Sequence, residues 1–475
     1  MTERFGKSQG PIVVRGLNWL GDAVMSFPAL AAIMDDDPER DLFVLTRAGA
    51  AGAYAALVGE ENTLIEDRSF ASRFRAARKI KKMAPAKMVI FPNSFSTAFY
   101  AAFSRAPFRA GSAANGRSIF LTRPVVFTEE EKAAHESFRF LRVVEEMGLK
   151  ACFSRPALTL PDLTERHVLP EGLRLAVAPG AAFGGAKRWP EEEFAAAATL
   201  ILADRLGGVV ILGGPSEISS AAKLESLLSP SVPTLNLAGQ TSLKEAIAVL
   251  GRCHLTLAND SGLMHLSAAL NVPVAAVFGP TNPVRTAPLG RRCAILRKPC
   301  GCSPCRHREC PKPQRLCFKD LSPEMVKREA DRLLSPVREA TKNLFLLPPP
   351  GLNILEGWPE KRGQDVKCFA FSRHFSEMGV KPEEIPAFLT MLREPLEEVR
   401  HWRVFLKKNG LAPATCHFMG QNPEIVRLAH NLGGQAILVM KEEARAGMPD
   451  LLAAGALPAL AAPSYARGFE WLFSS

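Results

Sequence analysis

A lone carboxylate, Asp22, ends the run Asn18-Trp19-Leu20-Gly21-Asp22, between an apolar strand-like segment and an apolar helix-like one. A helix dipole stabilises an anion placed near its N-terminus. Two readings of Asp22 are open. One is a helix N-cap. The other is a general base that takes a proton late, as an attacking hydroxyl bonds to an electrophile. A second run, from Gly180 through Lys187 (GAAFGGAK), follows a strand pattern and precedes a helix pattern. Its small residues let backbone N–H groups approach an anion, and Lys187 adds a point charge for phosphate. It is no Walker loop, since Gly-Lys-Ser/Thr does not occur, and such glycine-rich loops also simply turn the chain. Asn259-Asp260-Ser261-Gly262 is turn chemistry that opens a helix, whose free N–H groups suit a diphosphate. His265 follows, either as a packing and capping residue or as part of the site. Thr241-Ser242 heads another helix. Glu217 follows the Gly213-Gly214 loop, where a carboxylate suits ribose hydroxyls.

Five cysteines crowd together at Cys300, Cys302, Cys305, Cys310 and Cys317. Four thiolates would satisfy zinc, but no paired C-x2-C units occur, and the expectation is reduced structural thiols with no metal. Asp35-Asp36-Asp37 precedes Pro38 and reads as a solvated loop.

These residues need a scaffold, and the chain supplies an alternation of strands and helices. Strand patterns fall at 11–15, 41–46 and 87–91, with helical patterns at 23–34, 49–58 and 71–83. After a proline-rich linker at 155–170 the alternation restarts. Strands are expected at 173–178, 208–212, 235–237, 254–258 and 272–278, and helices at 190–206, 242–250 and 264–270. Such alternation predicts parallel, doubly wound α/β sheets. Ligands then bind at the carboxyl ends of the strands. The expected domains are 1–165, 166–340 and 341–475, the first two facing a cleft.

Composition is that of a folded protein: 475 residues, 47% hydrophobic and 23% charged. Disorder, collagen and coiled coil are excluded as its main character. No signal-peptide pattern and no apolar run of about 18 residues is seen, so a cytoplasmic location is expected. The net charge of +11 points to an anionic partner. Ten of the eleven positive charges belong to the first 340 residues, chiefly to 68–87, with eight basic residues and no acidic one, and to 291–319.

Taken together, VVRGLNWLGDAVMSFPAL (13–30), FPNSFSTA (91–98), APGAAFGGAKRWP (178–190), ILGGPSE (211–217), LAGQTSL (237–243) and LANDSGLMHLSAALNVPVAAVFGPTNPVRT (257–286) resemble the ADP-heptose:lipopolysaccharide heptosyltransferases, family 9 of the glycosyltransferases. The Cys-rich 302–324 is similar to the heptosyltransferase II subfamily. The resemblance covers about 1–340. It implies a GT-B fold and an inverting transfer of heptose from ADP-heptose to the lipid A–Kdo/heptose inner core of lipopolysaccharide. It implies no metal and no cofactor beyond the donor, no nucleic acid, and peripheral association with the inner membrane. By position it makes Asp22 the base and Lys187 the group that neutralises the diphosphate. Asp260, Ser261, Gly262, His265, Thr241, Ser242 and Glu217 become donor-site residues. Arg73, Arg75, Arg78, Lys79 and Lys82 are then candidates for the acidic acceptor or an anionic leaflet.

Residues 341–475 resemble, more faintly, heptose-1,7-bisphosphate phosphatases of the HAD class, through 352–359, 392–399 and 416–440. The chemistry needs carboxylates as nucleophile and magnesium ligand. Leu347 and Pro349 stand where the two aspartates belong, Gln421 where the magnesium-binding one belongs, and Glu394 beside Arg393 where a basic residue belongs. The expectation is a degenerate, non-catalytic domain. A bifunctional transferase–phosphatase and a non-catalytic scaffold are the alternatives.

Overall fold

The structure is a computed structural model. It describes residues 10–162, 167–298, 300–305, 307–312 and 315–335, and beyond them 342–347, 366–371, 389–392, 416–420, 425–426, 429, 435–440 and 460–462.

Short, branched, apolar runs make the strands. The first sheet holds β1 (Ile12–Arg15), β2 (Leu42–Thr46), β3 (Thr63–Ile65), β4 (Lys87–Ile90), β5 (Phe108–Ser112) and β6 (Arg123–Val125), in the order β3-β2-β1-β4-β5-β6. The second holds β7 (Leu173–Ala178), β8 (Gly207–Ile211), β9 (Thr234–Asn236), β10 (Leu255–Asn259), β11 (Val274–Val277) and β12 (Cys293–Leu296), in the order β12-β11-β10-β7-β8-β9. Counted from each sheet's own first strand, the two orders are the same. All pairings are parallel. The order reverses beside β1 and beside β7, and each reversal opens a crevice at the carboxyl ends of the strands. The expected doubly wound sheets are therefore present. A third parallel sheet follows: β13 (Lys342–Leu347), β14 (Val366–Phe371), β15 (Leu389–Leu392), β16 (Cys416–Gly420), β17 (Gln435–Val439) and β18 (Leu460–Ala462), in the order β15-β14-β13-β16-β17-β18. Leu347 ends β13, whereas Pro349, Arg393, Glu394 and Gln421 lie outside the described residues.

Helices cover the first two sheets: α1 (Leu20–Met25), α2 (Phe27–Asp36), α3 (Ala48–Val58), α4 (Phe70–Met83), α5 (Phe95–Ser104), α6 (Glu129–Ala133) and α7 (Glu136–Glu146), then α8 (Glu191–Leu202), α9 (Ile218–Leu227), α10 (Leu243–Leu250), α11 (Gly262–Ala269), α12 (Pro283–Thr286), α13 (Leu316–Lys319) and α14 (Pro323–Leu334). The single helix expected over 23–34 is two. Pro28 has no N–H to continue the first helix and sits instead in the first turn of the second. Among the described residues no helix is long and apolar enough to cross a membrane.

The domains touch through helices that the sequence places far apart. A Cβ on Gly262 of α11 would lie 2.7 Å from Leu20 Cβ of α1, and one on Gly21 would lie 3.0 Å from His265 Cδ2. A Cβ on Gly52 of α3 would lie 3.0 Å from Leu243 Cβ at the start of α10. Glycine at these positions lets the helix backbones close on one another. The linker packs as well, Thr159 N–H donating to Ala56 O and Arg155 Nε to Leu289 O.

Candidate functional site

Where the carboxyl ends of the first two sheets face each other there is a cleft of about 930 Å³. All nine residues singled out for catalysis and donor binding line it: Asp22, Lys187, Glu217, Thr241, Ser242, Asp260, Ser261, Gly262 and His265. The five basic residues of α4 singled out for the acceptor or a leaflet (Arg73, Arg75, Arg78, Lys79 and Lys82) do not line it.

Asp22 sits in the first turn of α1. It is not the cap: Trp19 holds that position, with extended backbone. The loop before it is pinned by a buried network. Arg15 donates to Asn18 Oδ1 (3.0 Å) and pairs with Glu66 (2.8 Å), whose other oxygen accepts from Tyr100 Oη (2.8 Å). Leu17 N–H donates to Tyr54 Oη at 2.9 Å, and Thr46 Oγ1 donates to Leu17 O at 2.8 Å. Burial, together with Glu136 and Asp260 nearby, pushes the Asp22 carboxyl up to about 6, and Lys187 pulls the other way. The expected helix-dipole effect has the opposite sign, so burial and like charge outweigh it.

Facing Asp22 is the second domain's anion end. Lys187 Nζ donates to Asp260 Oδ2 at 2.6 Å, and Thr281 Oγ1 donates to the same oxygen at 2.6 Å. Both charged side chains are well buried. Asn259, fully buried, accepts from Trp189 N–H (3.0 Å) and donates to Pro179 O (2.7 Å), which ties the Lys187 loop to β10. Ser261 stands at the N-cap position of α11 without capping it, and its buried Oγ has no partner. The first amides of α11 therefore point into the cleft without a side-chain cap. His265 is buried and its pKa is pushed down to about 4, so it is neutral at physiological pH. A neutral ring suits a hydrogen-bonding or packing role.

On the nucleotide side, Glu217 Oε2 accepts from Gly214 N–H at 2.7 Å. A Cβ on Gly180 would lie 2.0 Å from Glu217 Oε1, so Gly180 is what leaves room for that carboxylate. Ser242 caps α10: its Oγ accepts from Glu245 N–H, and Glu245 accepts from Ser242 N–H at 2.7 Å. Its hydroxyl is thus already engaged.

The cysteine segment braces the donor loop. Arg308 O accepts from Ala186 N–H (2.9 Å), Glu309 Oε1 from Gly185 N–H (3.0 Å), and Arg315 donates to Arg188 O (3.2 Å). Lys187 and Arg308 both lie over the Phe183 ring, at 5.0 and 5.3 Å. Cys300 and Cys302 sulfurs are 3.7 Å apart. Among the described residues, no group of three or more His, Cys, Asp or Glu side chains is arranged to hold a metal.

Glu136, Arg285, Thr281 and Arg308 also line the cleft and were missed. Glu136, first residue of α7, pairs with Arg285 of α12 across the domains and with Arg139 at 3.0 Å. Arg285 and Thr281 fall within the 257–286 run, which was the available signal. Glu136 carries none, because its importance comes from a partner 149 positions away.

Comparison with known proteins agrees with this geometry. The profile of glycosyltransferase family 9 (heptosyltransferase) matches residues 73–315. Lipooligosaccharide heptosyltransferase 2 of Campylobacter jejuni serotype O:2 is 30% identical over 326 residues, covering 66% of this chain and 96% of its own. The chain belongs to glycosyltransferase family 9. Another relative of this family 9 enzyme, the lipopolysaccharide heptosyltransferase 2 of Escherichia coli, is 26% identical over 348 residues, 68% of this chain and 98% of its own. The fold matches the structure of E. coli ADP-heptose LPS heptosyltransferase II with a TM-score of 0.58 at 24% identity, over 68% of this chain and 98% of that one. The family 9 structure from Veillonella parvula matches with the same score at 20% identity. The cleft between the first two sheets is therefore the cleft of a GT-B glycosyltransferase.

Proposed function

We propose that the enzyme transfers heptose from ADP-heptose to a hydroxyl of the lipopolysaccharide inner core, with inversion and in the manner of heptosyltransferase II. The observation that carries the reading is the Asp22 carboxyl, held near pKa 6 and set across the cleft from Lys187 and the open N-terminus of α11. A base with that pKa is ionised at neutral pH yet basic enough to receive a proton as it leaves the attacking oxygen. The acceptor oxygen attacks the anomeric carbon from the face opposite the diphosphate. As that bond forms, the carbon–oxygen bond to ADP breaks, and the hydroxyl proton passes to Asp22. Lys187 has three donors, of which Asp260 takes one; the others, with the α11 amides and Ser261 Oγ, stabilise the charge developing on the diphosphate. Glu217 accepts from the ribose, and Thr241 also lines the cleft. On this reading the positive charge at the leaving group comes from the protein, and chelation with EDTA leaves transfer intact.

The deciding experiment is transfer from ADP-heptose to a panel of truncated inner-core acceptors, followed by ADP release. Asp22→Asn is expected to bind donor normally and to lose transfer. In the parent, kcat/KM is expected to fall below about pH 6, as the free base takes up a proton. Undiminished transfer by the Asn variant would remove Asp22 from its role.

A further inference from the structure

The cleft leaves several exposed apolar residues of the first domain without a task. Phe70 and Phe74 on α4, Phe103 and Phe99 on α5, Phe120 in the turn at 117–120 and Phe95 at the start of α5 form, in that order, one continuous row. Successive ring centroids are 6.3, 6.4, 6.4, 6.1 and 5.1 Å apart. Phe70 is 83% exposed, Phe99 54%, Phe95 50% and Phe74 46%. The fold does not need the rings of α4, because that helix packs inward through Ser72, Ala77 and Ile80. Single exposed apolar side chains are common on soluble proteins, whereas a contiguous row marks an interaction surface.

Positive charge surrounds the row. Residues 68–87 carry eight basic side chains and no acidic one. Arg78 lies over the Phe74 ring at 5.9 Å and Lys81 over the Phe103 ring at 5.2 Å. Rings flanked by cations are the pattern of a helix that lies in the headgroup–acyl boundary of an anionic membrane. A two-fold contact between copies would set the same positive stretch against itself. A nucleic-acid strand would be read by separate stacking rings, but these rings pack on one another. Ile119, in the same turn as Phe120 and 78% exposed, suits acyl chains and offers a base no ring.

We propose that the α4–α5 face is a docking surface for an anionic lipid bilayer, with the phenylalanines entering the boundary and the flanking Arg and Lys side chains meeting lipid phosphates. Ser69 and Ser94, at the N-cap positions of α4 and α5, lie just beyond the carboxyl ends of β3 and β4. The α1 loop that carries Asp22 leaves the carboxyl end of β1 in the same sheet. Docking therefore brings the rim of the cleft to the lipid surface. The proposal stands apart from the transferase reading, since vesicle binding needs no donor.

The test is co-sedimentation of the full chain with vesicles of phosphatidylethanolamine and phosphatidylglycerol, compared with phosphatidylcholine alone. Binding to the anionic vesicles is expected, weakened at least about tenfold in Phe70→Ser/Phe74→Ser and in Lys81→Glu. Transfer to a water-soluble, delipidated acceptor should be unchanged in both variants. Absence of binding, or equal binding by parent and variants, overturns the proposal. So does a shift from dimer to monomer in the variants, which would make the face a self-association surface, or loss of RNA binding in variants whose vesicle binding is unaltered. The substituted residues are exposed, and an unchanged ADP-dependent thermal shift verifies that each variant is folded. Failure of transfer in the parent would sink the transferase reading and leave the vesicle result standing.

Discussion

Ionising Asp22 works against the fold that surrounds it. The folded chain holds the proton up to about pH 6, against 3.8 in the unfolded chain, because water is excluded and Glu136 and Asp260 are nearby. The stabilisation is full below the unfolded value and is lost as pH rises through 6. At neutral pH the charge costs the fold up to about 3 kcal/mol. Asp22→Asn should therefore melt at a higher temperature than the parent at pH 7.5 while losing transfer. An equal or lower melting temperature would show that the carboxylate is not held under this stress. Lys187 makes a different prediction. Removing it deletes a charge-assisted contact worth about 1.5–3 kcal/mol, so Lys187→Ala should weaken ADP binding by roughly tenfold to a hundredfold in calorimetry. Unchanged affinity would leave Lys187 only the task of holding Asp260.

Two elements, α1 and α11, bring base and leaving group together, and they do so through glycine. An alanine at position 262 must push Leu20 away. Gly262→Ala is expected to lower kcat at least about tenfold and to destabilise by about 1–3 kcal/mol; a variant as active as the parent would show that the close approach is dispensable. This contact was not legible in the sequence, where Gly21 and Gly262 look like ordinary turn residues. What could be read was local. The apolar runs of β1, β2, β4, β7, β8, β10 and β11 announced themselves, as did the loops that carry Asp22, Lys187 and Asp260. The three-residue β9 was legible too, whereas β3 and β6, equally short, carry no apolar run that stands out from their surroundings. Helix α7 escaped because His135, an unusual cap, begins it, its Nδ1 accepting from Ser137 N–H. The basic helix α4 was legible as a helix, and its charge suited either the acidic acceptor or an anionic leaflet, because composition alone says nothing about which way a face points.

At the scale of the molecule, the three sheets meet around His135. Its backbone N–H donates to Ala461 O of β18 at 3.0 Å, and its Nε2–H donates to Ala287 O, just after α12, at 2.9 Å. Burial pushes both His135 and His265 down to about 4, from 6.5. Their contribution to stability is complete above 6.5 and is lost as pH falls through 4. Each is worth up to about 3 kcal/mol, and together they outweigh the opposing gain from protonated Asp22. The melting temperature should fall between pH 6.5 and 4, and His135→Gln should flatten that slope; an unaltered slope would show that the histidine is not titrating there. For the third sheet we propose the degenerate-phosphatase reading. The full chain with heptose bisphosphate and Mg²⁺ should release no phosphate, and turnover would reverse it.

The contact between α1 and α11 also decides what a rocking motion of the two domains can do. The tightest backbone approaches between the two domains, at Gly21, Gly262 and Gly52, define a line, and a rocking motion that keeps them closed turns about it. Displacement grows with distance from it, so the lever arm is long at the outer mouth of the cleft and short at the glycines. Asp22 and the first turn of α11 sit on the short arm. Opening can admit a large acceptor at the mouth while the span from base to diphosphate changes least, which separates the mechanics of entry from the geometry of the reacting bond.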